Sequence, residues 1–152
     1  MSNYHPVHCK IWQDTKFMEY KSLRKLVFLY LITNPHCKIT GIYEVSPKTI
    51  SHETDIEVEQ VRSILRTFNP DSVVYDFDTG VVYIKNFLKY HFTKIGNPVT
   101  INSTILNNLS LTPHVEFWND FEKRYQEELE QLRKKVKEIN SNKKKRKLKV
   151  VT

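Results

Sequence analysis

The fourteen residues from Asp55 to Phe68, DIEVEQVRSILRTF, restrict the fold of this chain more than any other stretch. With Val61 facing inward, a 3.6-residue period brings Val58, Ile64, Leu65 and Phe68 to the same side and leaves Glu59, Arg62, Ser63 and Arg66 largely on the other. That pattern is an amphipathic helix with a polar outer face. A shorter helix is predicted before it, opening at Ser46-Pro47, where a capping hydroxyl stands ahead of proline at the first helical position, and ending near Glu53. Thr54 to Glu57 joins the two. Asp55 tolerates left-handed geometry in that turn, and Ile56 suits the gap between the helices. Two starts of the longer helix stay open, one capped by Thr54 through Glu57 and one at Glu57 itself. The pair is a helix-turn-helix, the arrangement in which a second helix enters a DNA groove.

The flanking segments complete a recognisable order. Tyr4 to Trp12 alternates Val7, Cys9 and Ile11 as a short strand or extended arm would, with Trp12 and Phe17 as its anchors on the core. Ser22 to Thr33, SLRKLVFLYLIT, is apolar on more than one face and is expected to be the central buried helix, stopped by Asn34-Pro35. A brief strand spans Gly41 to Val45. After Asn69-Pro70-Asp71, two β-rich runs, Val73 to Asp76 and Val81 to Ile84, flank Asp78-Thr79-Gly80 as a tight hairpin. The order is helix, strand, helix, turn, helix, strand, strand, that of a winged helix.

Short helices are predicted at Asn86 to Phe92 and Ile101 to Leu109, and Thr112-Pro113 opens a long helical stretch to about Ile139. There Trp118, Tyr125, Leu129, Leu132, Val136 and Ile139 fall close to a 3.5-residue repeat, which suits either a self-associating coiled coil or a helix packed back on its own domain. The expected class is therefore mainly α with a small β-hairpin (α+β): a winged helix-turn-helix over residues 1–110, a long helix over 111–140 and a basic disordered tail over 141–152.

Charge matters through its placement. Of the formal net charge of +7, six come from Lys143, Lys144, Lys145, Arg146, Lys147 and Lys149, which leaves residues 1–142 at +1. Binding to nucleic acid then needs a local patch or the tail, not overall basicity. Six cations in seven positions displace counterions from phosphates without reading sequence; a solubilising terminus is the plainer reading. No apolar run approaches the ~18 residues of a membrane span. With no signal-peptide pattern at the N-terminus either, an intracellular protein is expected.

The stretch KLVFLYLITNPHCKITGIYEVSPKTISHETD, Lys25 to Asp55, resembles the N-terminal winged-helix domain of phage replication initiators, replisome organisers related to bacterial DnaD. The likeness continues through VYDFDTGVVYIKNFLKY, Val74 to Tyr90, and takes in IWQDTKF, Ile11 to Phe17. It implies double-stranded DNA binding at a replication origin in the bacterial host cytoplasm, and a platform for a host helicase loader or another replication protein. Similar sequences often carry glycine where this chain has Asp55. They also often continue into a second domain, for which the remaining residues here are too few.

On this reading Arg62, Ser63 and Arg66 face DNA, with Lys48, Thr49 and His52 near the backbone. The plainer alternative is a solvated face on which Glu59 pairs with Arg62. Self-association through the long helix would make a homodimer with two recognition helices. A transcriptional regulator on the same surface, and a module that binds a host protein and no DNA, are the other two readings. The tripeptide Asp78-Thr79-Gly80 matches the aspartic-protease loop, but turn chemistry accounts for it and Val81 departs from the small residue usual next. His5, His8, Cys9, His36 and Cys37 could assemble zinc ligands if the N-terminal arm meets the end of the first helix, but their spacing lacks the paired finger pattern and no metal is expected. With three glycines and no phosphate loop, dinucleotide turn or nucleophile elbow, neither an enzyme nor a cofactor is expected.

Overall fold

The computed structural model describes residues 4–91 and 97–151, and the chain divides into two compact units, Met1–Tyr90 and His91–Thr152. The boundary lies well before the expected one at 110, because the helix Pro98–Leu111 (α6) packs on the last helix of the chain.

The first unit opens with a 3-10 turn, Cys9–Gln13, and a short helix, Thr15–Met18 (α1), where a strand or extended arm was expected. Two local caps override the alternating pattern. His8 Nδ1 accepts from the Lys10 N–H, and Asp14 Oδ1 from the Phe17 N–H at 2.9 Å, so the backbone closes into turns. Phe17 is the anchor, buried among Tyr20 and Phe28; Trp12 stands edge-on to it but stays 60% exposed.

Ser22–Thr33 (α2) has the expected bounds but buries one face only: Val27 and Leu31 are sealed, while Leu23 and Leu26 remain exposed. Asn34 ends it from inside the core, where its amide donates to Tyr30 O and to the Tyr43 hydroxyl, both at 2.8 Å. Ile42–Glu44 (β1), Pro47–Thr54 (α3), Val58–Thr67 (α4), Val73–Asp76 (β2) and Val81–Ile84 (β3) follow. The strands form one antiparallel sheet in the order β1-β3-β2, with Tyr43 opposite Val82 and Tyr75 opposite the same residue on the other side.

Gly41 precedes β1 because nothing larger fits. Its φ is +73°, and an added Cβ would come within 2.5 Å of Ile84 O. The helix Phe87–His91 (α5) spans the boundary between the units; Phe92, its expected last residue, lies outside the described residues. The architecture is mainly α with a small antiparallel sheet, a winged helix-turn-helix followed by a long C-terminal helix.

In the second unit, α6 is followed by Val115–Arg124 (α7) and Gln126–Val151 (α8), so the single long helix is interrupted at Tyr125. The six apolar residues expected at a dimer seam are mostly spent inside the chain. Trp118, Tyr125, Leu129 and Leu132 are buried, with Trp118 Nε1 donating to Thr112 O at 2.6 Å, and only Val136 and Ile139 keep partial exposure. Packing of α8 on α6 and α7 within the chain accompanies the burial of four of the six.

Residues 141–151, expected to be disordered, continue α8. Lysine and arginine are good helix formers, glycine and proline are absent, and cations at the C-terminal end complement the helix dipole. Thr152 lies outside the described residues. Among the described residues no helix is long and apolar enough to cross a membrane.

Candidate nucleic-acid interface

The geometry of the exposed helix follows from its two ends. Ser46 Oγ accepts from the Thr49 N–H at 3.0 Å and fixes the start of α3, with Pro47 at its first position. The helix closes on Asp55 in left-handed geometry, φ 58° and ψ 32°. Thr54 belongs to α3, its hydroxyl donating to Ile50 O, so it does not cap α4, for which Glu57 is the cap residue. Ile56 is buried between the two helices as a plug. Val61, Leu65 and Phe68 then hold the inner face of α4 in the core, and Val58 and Ile64 are half-buried beside them.

The outer face carries two flanks. Arg62 and Arg66 lean toward the hairpin. The Arg66 guanidinium lies over the Phe77 ring, 4.7 Å from its centroid, and Phe77 stands edge-on to Tyr75 at 4.8 Å. Tyr75 donates to Val45 O at 2.8 Å; burial pushes its hydroxyl up to about 12, against which the Arg62 charge works. Arg62 also pairs with Glu59 at 3.5 Å, as the solvated-face alternative requires, although Glu59 itself is largely exposed. About 100° around the axis, Ser63 and Thr67 form the other flank. They border a groove between α4 and the start of α2 that is lined as well by Glu19, Lys21, Leu23, Arg24 and Ile64.

Of the α3 residues, Lys48 and His52 are exposed one turn apart, while the Thr49 hydroxyl is taken up with Ser46 Oγ at 2.9 Å. Next to them Glu53 accepts from the Tyr30 hydroxyl and lies 3.5 Å from His36 Nε2. The tyrosine hydrogen bond, then His36, holds the Glu53 carboxyl below its ordinary range. This cluster ties α3 to the end of α2.

The hairpin turn is closed by Asp76, whose carboxylate accepts from the Asp78 N–H and the Thr79 hydroxyl, while Gly80 sits at φ +72°. Asp-Thr-Gly is used here as turn chemistry. Among the described residues no group of three or more His, Cys, Asp or Glu side chains could hold a metal ion. Cys9 is exposed and Cys37 buried, its thiol pushed up by burial.

Lys143, Lys144, Lys145, Arg146, Lys147 and Lys149 are all exposed and spread around the last turns of α8. From Arg133 to Lys149, Glu138 is the single acid among ten cations. The residues that sequence reasoning missed are Lys21, Arg24 and Phe77. The KSLRK run was a signal for the first two, and an aromatic next to a polar turn was a signal for the third.

Comparison with protein-family models, with characterised proteins and with solved structures found no match.

Proposed function

We propose that this chain binds double-stranded DNA through the outer face of α4 and the β2-β3 hairpin, and that the cationic end of α8 adds sequence-independent attraction to phosphates. The observation that carries the reading is the position of Arg62 and Arg66. Both stand on the hairpin flank of an exposed helix, and Arg66 is held on Phe77, at the hairpin end of β2. Guanidinium groups ordered in this way lose less freedom when they take a guanine edge or a phosphate. The unit Met1–Tyr90 has eleven lysines and arginines against ten acids, so its attraction for DNA is local, and the ten cations of Arg133 to Lys149 provide the long-range pull.

The resemblance to phage replication initiators supports a role in starting phage DNA replication in the bacterial host cytoplasm, with recruitment of host replication proteins. The same surface would serve a transcriptional regulator. Selection of bound fragments from phage and host genomes tests this: enrichment of an origin is expected, enrichment of promoters favours the regulator, and recovery of no sequence contradicts sequence-directed binding.

One observation favours a protein-binding module instead. Asp55, Glu57 and Glu59 are exposed around the start of α4 and outnumber its two arginines, so that face carries no net positive charge. Duplex affinity that falls steeply with salt separates DNA binding from that reading.

A further inference from the structure

We infer that the groove between α2 and α4 seats a second phosphodiester strand of the bound duplex, opposite the strand met by the hairpin flank. The inference rests on the duplex-binding reading above. An α-helix with its side chains is ~10–12 Å across, and the major groove is ~12 Å wide. A helix laid in that groove therefore has a sugar-phosphate strand on either side. On α4 the arginine flank and the Ser63-Thr67 flank are about 100° apart around the axis, either side of Glu59. The first flank meets one strand. The second opens directly onto Lys21 and Arg24.

The chemistry of the groove suits an anion that stays at the surface. Lys21 is exposed, and Arg24 is half-exposed with its guanidinium 5.2 Å from the centroid of the Tyr20 ring, which restricts where its donors point. Ser63 brings a hydroxyl donor from the α4 wall. The Thr67 hydroxyl already donates to Ile64 O at 2.7 Å, so Thr67 contributes shape and not a bond to phosphate. Leu23 and Ile64 present no acceptor that would compete for the cations. Glu19, which also lines the groove, opposes phosphate, and the two cations outweigh it. Contacts of this kind position the helix and carry no base information.

The test uses the full chain and a duplex of about 20 base pairs, with affinity measured by fluorescence anisotropy across a salt series. Lys21→Ala with Arg24→Ala is expected to weaken binding roughly tenfold, equally for all sequences, and to reduce the log–log salt slope by about 2, near 0.9 for each phosphate no longer neutralised. Arg24→Lys keeps the charge and is expected to keep the slope. Lys21→Gln, at an exposed site that cannot disturb packing, is expected to remove about 1 from the slope with an unchanged melting temperature. Wild-type slope and affinity in both Lys21 variants overturn the inference and leave the duplex-binding reading standing. A wild-type chain that does not bind duplex overturns both.

Discussion

The Arg66 guanidinium lies 4.7 Å from the centroid of the Phe77 ring and so joins the last turn of α4 to the hairpin end of β2. Phe77 is 37% exposed, and a cation–π contact at such a site is worth about 0.5–1 kcal/mol. Phe77→Ala loses this contact and the edge-on pair with Tyr75, and is therefore expected to cost about 1–2 kcal/mol in stability, while weakening duplex binding because Arg66 loses its support. Thermal melts with anisotropy titrations check both halves, and an unchanged affinity would mean that Arg66 needs no holding.

The left-handed turn at Asp55 makes a prediction about backbone strain. A β-branched residue at φ 58° is costly, so Asp55→Val is expected to destabilise the first unit by about 1–2 kcal/mol. Asp55→Gly fits the same geometry without a Cβ penalty and is expected to leave the melting temperature unchanged or raised. Chemical denaturation of the two variants checks the sign of each.

Inside the core, Asn34 and Tyr43 depend on each other. The Asn34 amide donates to the Tyr43 hydroxyl at 2.8 Å, and that hydroxyl donates to Leu31 O at 2.5 Å, all in the buried interior. Asn34→Ala removes the donor to the Tyr43 hydroxyl and the acceptor of the His36 N–H, and is expected to cost about 1–3 kcal/mol. Tyr43→Phe, studied in a double-mutant cycle with it, should show less than additive loss because the two share one network.

Acid should loosen the junction of α2 and α3. The Glu53 carboxyl is held below its ordinary range, by the Tyr30 hydroxyl first and His36 second. Its contribution is thus complete above the unfolded carboxyl value, about 4.3, and is lost as pH falls through the lower folded value. Tyr30→Phe removes the main cause. The wild type is expected to lose more melting temperature than Tyr30→Phe between about pH 5 and pH 3; parallel curves would refute the assignment.

Features with local causes were legible in the sequence. The bounds of α2, the Ser46 cap, the Asp55 turn and both hairpin strands came from capping residues, proline and turn chemistry, each acting within a few residues. The opening segment departs from its pattern because two caps, His8 and Asp14, outweigh an alternation of only three apolar residues. The end of α8 departs from its own because like charge argues for disorder, while the same lysines favour helix.

At the candidate site, the outward placement of Arg62, Ser63 and Arg66 was readable from helical period, Arg62 being half-buried and the other two exposed. Which neighbours they meet was not, since Phe77, Lys21 and Arg24 arrive from other elements. The 3.5-residue repeat of the long helix was equally open, because packing against a second copy and packing against α6 leave the same pattern. Leu132→Ala is accordingly expected to destabilise the helical unit by about 2–5 kcal/mol, as a buried side chain does. Light scattering on this variant should give the wild-type mass.

The most direct measurement is the affinity of the full chain for duplex DNA with and without Arg62→Ala and Arg66→Ala together, followed by its salt dependence. The account predicts that the double variant stays folded, losing no more than about 1 kcal/mol of stability with the Phe77 contact, and binds at least tenfold more weakly, as the loss of an ordered guanidinium contact implies, with the remaining affinity strongly salt-dependent through α8. Wild-type affinity in that double variant would contradict the central claim that α4 and the hairpin form the DNA-binding face.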